Sequence, residues 1–210
     1  MKNIHLHILQ ANPLLKLYYS KLKKEFDLVL NQISKYLNIQ DIDILVIEDE
    51  TSNDGPVETK ILNDNLLTIV FNTKNKDFKN KLKEHVRRPL SYDLYLMSIY
   101  KKFGEPKTLL QEILMHGVAI HFEKTLTKFS LSEDFKLNQK EINTLIDKNK
   151  RFFKLKNYNP DKWFYNHKNK PAFIGRVIGY FLIENYLKEH KDKKLETLLK
   201  LSPNKLEKLI

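Results

Sequence analysis

The chain has 210 residues, 41% of them hydrophobic and none of them cysteine, which is enough for a sizeable core at the composition of an ordinary soluble domain. Lack of cysteine excludes disulfides, thiolate metal sites and a cysteine nucleophile, so only His, Asp and Glu remain as possible metal ligands. The formal net charge of +11, from 37 basic and 26 acidic side chains, invites polyanion binding, but Arg occurs only at Arg87, Arg88, Arg151 and Arg176. Forked phosphate and base-edge contacts favour Arg, so a specific nucleic-acid function is not expected.

The segment Asn3–Gln10 alternates Ile4, Leu6 and Ile8 with His5 and His7, the period of a half-buried strand with its histidines on the polar face. This is not the apolar core of a signal peptide, and no run of eighteen apolar residues follows, so a cytoplasmic protein with no membrane span is expected. From Leu14 to Leu37, the residues Leu15, Tyr18, Leu22, Phe26, Val29, Ile33 and Leu37 recur at three and four, which predicts a long amphipathic helix across a sheet. Ile42–Ile47 reads as a short strand, 52–56 as a turn, and Val57–Leu62 with Leu66–Asn72 as a hairpin around Asn63-Asp64-Asn65.

Helical patterns dominate after residue 75. Lys76–Arg88 reads as a helix that Pro89 kinks or ends, followed by Leu90–Phe103 and Thr108–Lys128 on either side of the breaker Gly104-Glu105-Pro106. Asn138 with Glu141 forms a capping-box signature for a helix to about Phe153, and 157–169 reads as a loop around the only tryptophan, Trp163. Phe173–Glu189 is a strongly apolar helix, and Ser202-Pro203 opens a short last one. Strands first and helices afterwards give an α+β fold, a small N-terminal mixed sheet packed on a mainly helical remainder, as a single domain over 1–210.

The two central helices carry the candidate chemistry. Glu112, His116 and Glu123 share one face of the second, because spacings of four and seven residues are near whole turns, while His121 points about 140° away from His116. Leu110, Ile113, Leu114, Gly117, Val118 and Ile120 equally make this a core helix, in which His116 is a hydrogen-bonded core residue and Gly117 permits a close helix crossing. In the last long helix, Gly175 and Gly179 share a face that can admit a neighbouring helix, beside a buried stripe that runs on from Tyr180.

The stretch Leu109-Leu110 leading to His116-Gly117-Val118-Ala119, together with Trp163-Phe164 and Pro171-x-x-x-Gly175-x-x-x-Gly179-Tyr180, resembles a bacterial family of zinc-dependent proteases. That family is gluzincin-like and was first catalogued as a domain of unknown function; the resemblance covers about residues 66–202. It implies a gluzincin-like fold and a His-Glu-x-x-His helix, where one helical face offers two imidazoles to zinc and the Glu serves as general base. In that register the chain reads Tyr92-Asp93-Leu94-Tyr95-Leu96, and His116 stands where the family has its third ligand, a Glu. A phenol and an alkyl chain do not replace two imidazoles, so no zinc or other cofactor is expected.

A catalytically inactive protease-like domain follows, one that uses the former substrate cleft to bind a peptide or protein. Its expected lining is Tyr92, Asp93, Tyr95, Leu96, His116, Glu123 and Tyr180, with Tyr92, Tyr95 and Leu96 forming either a filled apolar plug or, as favoured here, a partly open pocket with phenols at its mouth. A divergent active metallopeptidase is the alternative, with Asp93, Glu112 and Tyr180 as catalytic candidates, His116 as metal candidate and zinc as cofactor. Electrostatic binding to nucleic acid or an anionic surface ranks third.

Overall fold

The computed structural model describes residues 4–9, 13–49, 56–128, 137–165 and 173–210. The chain divides into two compact units, Met1–Lys101 and Lys102–Ile210.

The first unit holds a four-stranded mixed sheet in the order β1-β2-β4-β3, built from β1 (Ile4–Ile8), β2 (Ile42–Glu48), β3 (Val57–Asn63) and β4 (Leu66–Phe71). β1 and β4 both run parallel to β2, while β3 returns antiparallel at the edge beside β4. Period-two alternation sets one face inward, with Ile42, Ile44, Val46, Leu67, Ile69 and Phe71 buried, and leaves His5 and His7 exposed as expected. His7 Nε2 donates to Asp43 Oδ1 across the strands at 2.8 Å. Of the turn expected at 52–56, residues 52–55 lie outside the described residues.

Helix α1 (Pro13–Ile33) connects β1 to β2 and ends four residues before the expected Leu37, with a turn at Ser34–Tyr36. Its buried stripe of Leu15, Leu22, Phe26, Val29 and Ile33 faces the core, and Tyr18 meets Phe78 edge-on at 5.1 Å, which in turn meets Phe71 of β4 at 5.3 Å. The helix expected over Lys76–Arg88 begins only at Leu82. Upstream, the Asn72 carboxamide oxygen accepts the amides of Lys74 and Asn75, and the Asn75 oxygen accepts that of Asp77, in a run of turns that precedes the helix.

Pro89 neither ends nor divides α2, which runs from Leu82 to Phe103 with Pro89 inside it. Leu82, Val86, Leu90 and Leu94 are buried on both sides of the missing amide, and the Glu84–Arg88 pair at 2.7 Å spans the same turn. Tertiary burial thus holds a helix across a break that local propensity disfavours.

The second unit is helical. α3 (Leu109–Thr127) starts at Thr108, whose hydroxyl caps the Gln111 amide at 3.3 Å, and stops at Lys128 in the left-handed region with φ 61°. Residues 111–123 are all buried, so it is a core helix and not an amphipathic surface one. α4 (Gln139–Asn149) opens with the expected capping box and runs into a 3-10 turn, Lys150–Phe152. The stretch read as a loop contains a short helix, α5 (Asp161–Phe164), that buries Trp163 and Phe164; residues 166–172 lie outside the described ones.

α6 (Ile174–Glu189) is followed by α7 (Leu195–Leu198), which no sequence motif marks, and α8 (Pro203–Glu207), capped by Ser202 as expected. α3 and α6 pack backbone to backbone. A Cβ on Gly117 would overlap the Gly179 carbonyl, and one on Gly179 would overlap the Ile113 carbonyl. Gly175 does not join this crossing: its space is filled by the Phe164 ring, 2.6 Å from where a Cβ would stand.

Candidate functional site

In the first unit, α2 carries Tyr92, Asp93, Tyr95 and Leu96 in the register where the resemblance expects metal ligands and a general base. Their exposures are 6%, 7%, 1% and 3%. Burial also pushes the Tyr95 hydroxyl above its ordinary range, so it remains a neutral phenol. These side chains are therefore packed away from water, where aromatic and aliphatic groups gain by burial.

In the second unit, α3 brings Glu112 and His116 together one turn apart, with His116 Nε2 3.7 Å from Glu112 Oε1. The His116 ring stacks on Phe164 at 4.2 Å between centroids and 19° between planes. Burial holds the imidazole below its ordinary pKa of 6.5 against the opposing pull of the Glu112 carboxylate, so it is neutral at pH 7. Glu112 Oε2 is buried without a hydrogen-bond partner, and the Tyr158 hydroxyl, raised by burial and then by hydrogen bonding to Glu112, faces the same carboxylate. Glu123, on the face expected, is buried at 2%.

Tyr180 belongs to a different cluster, around His121. The two rings stack at 4.5 Å and 4°, and His121 Nε2 lies 3.1 Å from the Tyr180 carbonyl. The Tyr180 hydroxyl donates to Glu184 Oε1 at 3.0 Å and accepts from Lys124 Nζ at 3.1 Å. Its oxygen is therefore engaged in a side-chain network in the manner of a core tyrosine.

Sequence reasoning missed two participants. Tyr158 sits in the Asn-rich stretch before α5, with no periodicity linking it to Glu112. Arg176 stands over both the Phe173 and Tyr165 rings, at 5.0 and 5.5 Å, and its charge further disfavours a proton on His116. The Arg-aromatic spacing around Gly175 was the only available hint.

These residues do not fit zinc. Tyr92 and Leu96 present no imidazole, and Glu112 with His116 supplies two donors where a protein site needs three. Among the described residues no group of three or more His, Asp or Glu side chains is placed to hold a metal ion. No helix among them is long and apolar enough to cross a membrane.

A mixed sheet, then a buried helix with the His-Gly-Val-Ala core, crossed at glycine by the last long helix, defines a gluzincin-like metallopeptidase scaffold whose ligand set is incomplete. The match to the family described as Predicted Zn-dependent protease (DUF2268) spans residues 22–208, wider than the 66–202 read from motifs, and the chain belongs to that family. No curated protein and no solved structure matches it.

Proposed function

We propose that this chain is an inactive member of its protease family that captures a peptide or protein segment at the former substrate cleft. The observation that carries this reading is the Tyr92-Asp93-Leu94-Tyr95-Leu96 register on an otherwise retained scaffold. The Gly117–Gly179 helix crossing and the long α2 and α3 helices support it, because they keep the architecture while the chemistry of the ligand positions has changed. Both units act as one domain in this reading, since a single family match runs through them.

The test pairs stability with binding. Leu96→Ala, at a buried position, is expected to cost about 2–5 kcal/mol by leaving a cavity. The native chain is expected to retain peptides from an extended-peptide array without cleaving them, with or without added zinc. Large destabilisation together with an empty array would reduce these residues to structural core and overturn the capture reading.

A second reading, a divergent metallopeptidase, is favoured by one observation: the unpartnered Glu112 Oε2 beside His116. Zinc-dependent cleavage abolished by Glu112→Gln would establish it in place of the first.

A further inference from the structure

The first unit is electrostatically lopsided. Residues 13–33 and 72–88 carry eleven basic and four acidic side chains, whereas the rest of 1–101 carries four basic and nine acidic. Two of those four acids, Glu25 and Glu84, are already paired with Arg87 and Arg88 at 2.8 and 2.7 Å.

The two basic segments lie side by side. Tyr18 of α1 meets Phe78, and Glu25 meets Arg87. With Leu17 as origin and about 100° per residue, Tyr18 and Glu25 fall at about 100° and 80°, on one flank of the helix. Lys21, Lys24 and Leu28 fall within about 40° of Leu17, opposite the buried Leu15, Phe26 and Ile33. The outer stripe of α1 is thus Leu17, Lys21, Lys24 and Leu28, with the 78–87 segment and its exposed Lys79 and Lys83 along one edge.

Leu17 is 75% exposed and Leu28 42%, two aliphatic side chains standing among ammonium groups. Nucleic acid offers such leucines no apolar layer and is better served by stacking aromatics and Arg. A bilayer with negative headgroups above hydrocarbon satisfies both kinds of side chain.

We propose that this face of α1 and 78–87 docks on an anionic lipid surface. The interaction is peripheral and independent of any peptide at the cleft.

Sedimentation of the full chain with vesicles tests it. Binding is expected to phosphatidylserine–phosphatidylcholine vesicles, falling steeply with salt, and not to pure phosphatidylcholine. Lys21→Glu with Lys24→Glu should weaken it about tenfold or more. Leu17→Asp with Leu28→Asp should also weaken it at unchanged melting temperature, while Lys194→Glu with Lys200→Glu, in the other unit, should leave it intact. Absence of vesicle binding, equal loss from the distant lysine pair, or preference for single-stranded RNA indifferent to the leucine changes would each overturn the proposal.

Discussion

Among the described residues three imidazoles, those of His85, His116 and His121, are buried, and in each burial holds the pKa below the ordinary 6.5. His85 bonds the Asp77 backbone with Glu84 and Lys81 nearby, His116 faces Glu112 and Arg176, and His121 faces Tyr180, Glu184, Lys124 and Lys188. A depressed folded-state value means that the unfolded chain takes up protons the folded chain refuses. Stability is therefore complete above about pH 6.5 and declines as pH falls below it, ahead of the carboxylate range. Melting temperatures recorded from pH 7.5 to 5 should fall through that window, and His121→Gln should flatten the fall; an unchanged slope would show that this imidazole is not held neutral by the fold. Only part of this was legible in the sequence. The i, i+4 spacing placed Glu112 with His116, because helix geometry is local. It also turned His121 away from them, yet it could not supply Tyr180 as its partner, 59 residues distant.

At the scale of elements, local chemistry was readable and competing or distant chemistry was not. Asn138 and Glu141 closed their capping box, and Ser202 capped the last helix, because each signature lies within four residues. Over 76–81 the chain forms turns where the pattern predicts a helix, next to Asn72 and Asn75 side chains that accept the amides of Lys74, Asn75 and Asp77. Pro89 gave the opposite error, since burial of α2 on both sides outweighed one lost hydrogen bond. The strand order β1-β2-β4-β3 depends on parallel pairings across intervening elements, which no local pattern records. Gly175 and Gly179 look equivalent in sequence, but the first is closest to a ring, with the Trp163 carbonyl at 3.0 Å, whereas the second overlaps the Ile113 carbonyl. That difference has a measurable consequence. Gly179→Ala must push α3 and α6 apart and is expected to cost about 2 kcal/mol or more. Gly175→Ala meets chiefly the Phe164 ring, with the Trp163 carbonyl at 3.0 Å, and should cost less than a direct overlap with backbone; the reverse order in chemical denaturation would contradict the backbone crossing.

For the whole molecule, scaffold and chemistry have separated. Family membership extends over residues 22–208, while the register that defines zinc chemistry holds buried Tyr92 and Leu96. Fold alone does not assign activity, so the ligand positions decide. The α+β order and the altered motif were legible because one is a sequence of periodicities and the other a pattern of residue types. The burial of Tyr92 and Tyr95 was not, because Tyr suits a wet pocket mouth and a dry core equally. The most direct measurement is elemental analysis of the purified chain, before and after a chelator and in the His116→Ala variant. We expect well under one zinc per chain, with no change on His116→Ala. One zinc per chain, removable by chelator and lost in His116→Ala, would contradict the loss of the metal site.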